Sequence, residues 1–416
     1  IFMTQVFFYL IIGIIIFDAV FLLILDYLNT TRWSEELPAE LEGIYDGEKY
    51  KKSQAYEKEN FKFGLLSSAF SIVLILSLVV FGGFGVLDNW IQGQTDNSIF
   101  QALMFFGIIG LFADLLSAPF SVYSVFVIET KYGFNKTTLK TYILDKIKSW
   151  LLIALIGGGM LSLVVYIYEL TGGNFWIWVW LVLAIFSIFM SMFYSSLIVP
   201  LFNKQEKLEE GELRSEIQAF ANLSGFKLDN VFKIDGSKRS TKANAYFSGL
   251  GSKKRIVLYD TLINNQSNEE IVAVLAHEVG HYKKKHIITG LIISLLNSLL
   301  MLFFLSLFIQ PGSMISFQLT EALGADNFSF HVGILAFGIL YGPLSFFTGM
   351  LMNIVSRKNE YEADAFAKDY KLDESLISAL KKLSVDNLSN LRPHPAYVFF
   401  HYSHPTLLQR IQAIRN

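Results

Sequence analysis

The chain of 416 residues contains no cysteine. Disulfides and thiolate metal sites are therefore excluded, and any bound metal has to be held by histidine and carboxylate. Charge is scarce as well: charged residues make up 17% of the chain against 53% hydrophobic ones, and the mean hydropathy is +0.43. So little charge in so long a chain excludes an ordinary soluble protein. The net charge of −2 gives no electrostatic reason to expect a nucleic-acid partner. Histidine is confined to seven residues, all at or beyond position 277. Lys and Arg are missing altogether from residues 1–4, 88–98, 169–173 and 310–328.

What fills the space is apolar. About 20 apolar residues span a bilayer as a helix, and seven stretches meet that length, near 5–25, 64–87, 99–128, 149–168, 174–201, 287–309 and 329–355. Pro119 and Pro200 predict a kink or a helix end within the third and fifth. The first stretch has neither a basic n-region nor a small-residue cleavage site, so it is expected to be a span and not a signal peptide. Every Lys and Arg falls in four segments: six in 26–63, five in 129–148, fourteen in 202–286 and nine in 356–416. The positive-inside rule then puts the N-terminus outside and the C-terminus in the cytoplasm. Lys283, Lys284 and Lys285 read as the interfacial end of the sixth span rather than as a basic patch. Asp18 and Asp114 fall inside spans with no basic residue beside them in sequence. Either they face a hydrated chamber or they make hydrogen bonds between helices.

The expected organisation is a membrane domain over 1–201 with cytoplasmic segments 26–63 and 129–148, then spans six and seven within 287–355. Two cytoplasmic pieces, 202–286 and 356–416, remain to build a catalytic unit. In the first, 230–235, 245–249 and 255–259 read as strands, the last two joined through Leu250, Gly251 and Ser252. A helix follows over 268–282, capped by Ser267 with Glu269 and Glu270 in its first turn. It contains His277-Glu278-Val279-Gly280-His281, an HExxH motif. Positions i and i+4 share a helix face, so His277 and His281 can reach one metal ion, and Glu278 can take a proton from a water at that metal. The pattern points to a zinc peptidase, and a small sheet beside the motif helix offers an edge strand to an extended peptide.

A catalytic zinc takes three protein ligands. Glu360, just past the seventh span, leads among the local carboxylates, and Asp364 falls one turn later on the same face, where it can hold a liganding His by its free nitrogen. Glu362 is expected to point elsewhere and be solvated. His286 reads as interfacial and His331 as structural on the outer side, while nothing in the spacing ties His394 or His401 to the site. His404, in Ser-His-Pro, equally suits a helix start before Thr406, and Arg410 is open between a substrate-carboxylate partner and a structural one.

The residues resemble the type I CAAX prenyl proteases, the membrane zinc metalloproteases that include the a-factor-converting enzyme. The likeness covers nearly the whole chain: Leu37-Pro38 to Tyr56, Ile128 to Asn135, Pro200 to Asn203, Ala243 to Phe247, His277 to His281, Arg357 to Ala367, and His401 to Pro405 with Arg410. It implies that Glu360 is the third ligand of one zinc ion, that Asn244 and Ala245 belong to the edge strand gripping the substrate backbone, with Tyr246 beside them, and that His404 faces the scissile carbonyl. It also implies seven helices around an intramembrane chamber, capped by the zinc domain, and cleavage of a prenylated C-terminal tripeptide. A lipidated C-terminus can rest its chain in the apolar region while its peptide reaches a metal close to the membrane surface. Two other readings remain: a quality-control protease acting on unprenylated membrane proteins, and a channel or transporter with a structural zinc, against which the intact Glu278 speaks.

Overall fold

The computed structural model describes residues 2–226, 231–250 and 254–416. Among them, five helical runs are long and apolar enough to cross a membrane: Phe2–Thr30, Gly47–Val80, Ser98–Glu129, Leu139–Phe202 and His286–Phe308. A sixth candidate is the pair Phe330–Leu340 and Gly342–Asp369, bent by 55°. The run Leu139–Phe202 is 64 residues long. At about 1.5 Å per residue it would extend on the order of 100 Å if straight, against about 30 Å of hydrocarbon. It is not straight: Gly172, with φ 55°, opens a single 3₁₀ turn, and the helices on either side, Gly158–Thr171 and Phe175–Leu197, pack against each other.

Proline acts differently at its three positions in these helices. Pro200 lies in the first turn of a short helix, Val199–Phe202, so the fifth apolar run does break there. Pro119 is accommodated within the helix Ser98–Tyr123, and the departure from α geometry comes just after it, as a π turn over Ser124–Glu129. Pro343 begins the helix Gly342–Asp369 and cannot donate back to the preceding turn, which accounts for the 55° bend that a continuous seventh span did not anticipate.

The expectation that Asp114 has no basic partner is corrected. Its carboxylate accepts a short hydrogen bond from Lys146 and a second, at 3.0 Å, from Trp150 Nε1. Lys146 belongs to the helix Leu139–Leu152, and its long stem lets the charge reach a carboxylate 32 residues away. Asp18 has no hydrogen-bond partner among the described residues and lines an aromatic cavity of about 550 Å³ beside Gly342 and Phe346. Fully buried Asp88 takes hydrogen bonds from Ser329 and His331, so His331 serves structure.

Among the described residues the sheet has four strands in the order β1 (Gln205–Lys207), β2 (Val231–Ile234), β4 (Arg255–Tyr259), β3 (Ala245–Ser248). β2 and β4 are parallel; the outer pairs are antiparallel. Asn230, Gly251 and Ser252 lie outside the described residues. β3 is an edge strand, paired through Tyr246↔Val257 and Phe247↔Ile256. Beneath the sheet runs the motif helix Asn268–Lys283, whose residues 270–277 are all buried. Ser267 and Glu270 form a capping box at its start, and Glu270 also accepts from Ser378 and Lys382 of the helix Asp373–Asp386.

Candidate metal centre

His277 and His281 project from one face of the motif helix, with their Nε2 atoms 3.1 Å apart. The bent helix Gly342–Asp369 crosses that face and supplies Glu360, whose Oε2 lies 3.5 Å from His277 Nε2 and Oε1 3.3 Å from His281 Nε2. Close approach of the two helices depends on Gly280: a Cβ built there would meet Ala363 Cα at 3.0 Å and Phe366 Cβ at 3.1 Å.

Whether these residues suit a metal follows from their protons. His277 Nδ1 lies 2.8 Å from Asp364 Oδ1, so the ring donates there and keeps a lone pair on Nε2. His281 Nδ1 lies 3.0 Å from His286 Nδ1, and His286 Nε2 lies 3.0 Å from Glu362 Oε2, so protons run from His281 through His286 to the carboxylate. Both Nε2 lone pairs then face one point, and Glu360 Oε2, buried without a hydrogen-bond partner among the described residues, faces it too. Such a donor set repels itself unless a cation sits between its members. The ligand-capable atoms all lie within 4.8 Å of one another, and the set fits a metal ion.

The surroundings hold this arrangement in charge balance. Burial works against the Glu360 carboxylate; where no cation fills that point, His281 donates to it instead and, with His277, Arg410 and His404, outweighs the burial and keeps its pKa down at about 2. Asp364 is likewise buried and likewise held below its usual range, by His277 and Arg410. Arg410 is bound through Nε and Nη2 to both oxygens of Asp364, at 2.8 and 2.6 Å, with Nη1 3.5 Å from Glu360. Of the two roles left open for Arg410, the geometry supplies the structural one: its fork is used by carboxylates of the protein itself. Burial pushes the Glu278 carboxyl above its ordinary value, against the pull of His277 and His281.

Two expectations are corrected. His286 is not an interfacial side chain; it is buried and links His281 to Glu362. Glu362 is partly exposed, yet it is the end of that link and not a free solvated carboxylate. Nothing in the spacing of single residues could have shown this, although a third histidine five positions past the motif was a signal to weigh.

The remaining site residues lie around a cavity of about 380 Å³ bounded by Ala243 to Tyr246, the motif side chains, Glu360, His404 and Arg410. Its far wall is aliphatic: Leu262, Val274, Leu376, Leu380 and Leu383. Antiparallel pairing sends the N–H of alternate residues to opposite edges, and in β3 it is Ala245 and Phe247 that face the open edge. Phe247 N donates to Glu278 Oε2 at 3.2 Å, and Asn244 is exposed with its Oδ1 on Ala245 N. The Tyr246 hydroxyl reaches Ser195 and Gln205, each at 3.3 Å. His404 is 63% exposed, with Nε2 3.3 Å from Glu360 Oε1. His394 caps the helix Pro395–His401, and His401 packs against Tyr397 with the two rings tilted.

Apolar helices of membrane-crossing length joined to an HExxH helix, with a buried carboxylate grouped beside its histidines, define an integral membrane metalloendopeptidase. Residues 26–204 match the family model described as CAAX prenyl protease N-terminal, five membrane helices, and residues 207–416 match peptidase family M48. The chain belongs to peptidase family M48. It is 35% identical over 412 residues to CAAX prenyl protease 1 of Saccharomyces cerevisiae, covering 94% of this chain and 91% of that one. It is 36% identical over 393 residues to the CAAX prenyl protease 1 homolog of Oryza sativa, covering 91% and 90%. The crystal structure of S. mikatae Ste24p superposes with a TM-score of 0.91 at 34% identity over 99% of both chains.

Proposed function

We propose that the chain is a zinc endopeptidase that removes the C-terminal tripeptide of prenylated CAAX substrates, with His277, His281 and Glu360 holding one zinc ion. The observation that carries the reading is the hydrogen bond from Phe247 N to Glu278 Oε2, which sets the open edge of β3 against the motif glutamate. A peptide added to that edge as a further strand has its backbone beside Glu278 and the ligand set. The aliphatic wall of the cavity suits a branched side chain next to the scissile bond, as such substrates carry. Relatives named as CAAX prenyl proteases support the same substrate class.

Bound there, zinc supplies Lewis acidity, polarising the carbonyl and acidifying the attacking water. Glu278 Oε2 already accepts from Phe247, which leaves Oε1 to take the water's proton as its oxygen adds to the carbonyl carbon. Glu278 holds that proton until the C–N bond breaks, when it passes to the leaving amine. His404, beside Glu360 yet exposed, donates to the oxyanion. Asn244 and Ala245 hold the substrate backbone, and Tyr246 is braced behind them by Ser195 and Gln205. Asp364 and Arg410 keep His277 and Glu360 oriented.

The proposed topology has seven spans, because the 64-residue run supports two antiparallel crossings and the bent pair one. The uneven distribution of Lys and Arg supports an outside N-terminus and a cytoplasmic metal domain built from 202–286 and 356–416. Bilayer lipid surrounds the helices, and no nucleic acid takes part. Purified protein incubated with a farnesylated CAAX peptide, and separately with an unprenylated membrane protein, tests the substrate. Release of the tripeptide from the first is expected; cleavage of the second alone points to quality control instead.

A further inference from the structure

The segment after the third apolar run, Ile128 to Asn135, has no part in the chemistry above, yet it holds the chain that leads into β3, chiefly through Lys242. Lys242 lies two residues ahead of Asn244, in a stretch without regular structure of its own. Its ammonium donates to Tyr56 Oη at 3.0 Å and pairs with Glu129 Oε2 at 3.0 Å, while Tyr56 closes the triangle with a short hydrogen bond to Glu129 Oε1. The ammonium also sits 4.3 Å from the Phe134 ring centre. Tyr56 comes from the helix Gly47–Val80, and Glu129 is the last residue of the π turn. A π turn inserts one residue, which rotates the chain beyond it by about 100°. The turn therefore sets the direction in which Glu129 points.

The backbone on both sides is tied in the same sense. Thr241 N donates to Phe134 O and Lys136 N to Arg239 O, both at 3.0 Å. Beyond the lysine, Thr261 Oγ1 donates to Lys242 O at 3.0 Å and Tyr259 N to Asn244 O at 3.1 Å. An edge strand needs this. Backbone pairing carries no side-chain information, and a slip of one residue, about 3.3 Å, changes which bond is presented. β3 has four residues and a strand partner on one side only.

We infer that Lys242, gripped by Glu129 and Tyr56, is a positioning residue that fixes the register of β3 against the catalytic centre, so that the membrane helices determine which peptide bond is cut. This rests on the reading of Asn244 and Ala245 as partners of the substrate backbone. The ammonium stays charged because Tyr56 and Glu129 outweigh the opposing effect of burial.

The test uses the full-length, zinc-loaded protein, with KM, kcat and product masses read for a peptide substrate. Lys242→Met and Glu129→Gln should each raise KM by about tenfold, the size of one charge-assisted hydrogen bond. kcat should fall less, and products cut one or two bonds away from the normal site should appear. Metal content and melting temperature should hold, Lys242→Arg should restore the single product, and the double variant should be no worse than Lys242→Met. If Lys242→Met does not fold, Glu129→Gln and Tyr56→Phe carry the same readouts. Unchanged KM with a single product in the folded variants overturns the inference, as does lost activity that follows lost metal with the product pattern intact. Asn244→Ala separates the two layers: if it leaves KM unchanged, the substrate-strand reading itself fails, whatever Lys242→Met does.

Discussion

Replacing Gly280 by alanine should cost the protein its metal. In a helix interior this substitution ordinarily stabilises by about 1 kcal/mol. Here the added methyl would stand 3.0 Å from Ala363 Cα, 3.1 Å from Phe366 Cβ and 3.2 Å from Ala363 O. Carbon atoms prefer roughly 3.5–4.0 Å, so the motif helix and the helix Gly342–Asp369 must part by about 0.5 Å or more. Two of the three obstructing atoms are backbone and cannot rotate away. Glu360 lies one turn before Ala363 and moves with it, whereas metal–ligand distances tolerate only about ±0.2 Å. Overpacking of this kind costs about 1–3 kcal/mol, enough to lower metal affinity by about 10–100-fold. Competition with a chelator reads the affinity, and peptide cleavage should fall with it, while far-UV circular dichroism stays unchanged. A Gly280→Ala protein with full metal, normal cleavage and a raised melting temperature would refute the helix-contact argument.

Glu278→Gln should retain metal and lose cleavage, since the ligands remain and the base does not; near-normal turnover beside full metal content would remove Glu278 from the mechanism. Asp364→Asn should weaken metal binding by about 10–100-fold. Glu362→Ala should weaken it less, because it acts on His281 only through His286, and the reverse order in a chelator titration would show that link to be idle. Glu360 has its folded pKa near 2, below the ordinary 4.5, so the stability it contributes is complete above about pH 4.5 and is lost as pH falls from there toward 2. That loss, on the order of 3 kcal/mol, should show in the melting temperature of metal-stripped protein and should vanish in Glu360→Gln. Cysteines introduced in 88–98 or 310–328 should react with an impermeant reagent on intact cells, and those in 129–148 or 356–416 should not. Outside labelling at 356–416 would put Glu360 on the wrong side for a cytoplasmic substrate.

The parts of this molecule that could be read in advance are those in which neighbours in sequence are neighbours in space. His277 and His281 share a helix face by spacing, Ser267 and Glu270 cap the helix by spacing, and 20-residue apolar runs announce helices in lipid. β1 escaped notice because Gln205-Glu206-Lys207 has no strand propensity and becomes a strand only through β2. The bend at Tyr341 was written in Gly342-Pro343 but masked by the apolar run on both sides. The Asp114–Lys146 pair and the His286–Glu362 link join residues 32 and 76 apart, and only packing brings them together. Gly280 stood within the motif itself, but its role belongs to a second helix that periodicity cannot place.

The connection between the motif helix and the next membrane helix is only Lys284 and Lys285, with Lys285 in the left-handed region at φ 61°. That conformation is costly for a side chain with a Cβ, and it makes the join an elbow rather than a tether. At the other contact, Glu360 stands on the same unbroken helix as Gly342 and Pro343. The two halves of the ligand set are thus cantilevered from helices embedded in lipid, with no hinge to absorb their tilt. Helices tilt to match bilayer thickness at a cost of fractions of a kcal/mol per ångström. A lever of 18 residues, from Gly342 to Glu360, can turn that soft displacement into a change of distance between Glu360 and the histidines. Membrane thickness is then a variable of the coordination chemistry, and turnover should depend on acyl-chain length even for a water-soluble peptide that never enters the lipid.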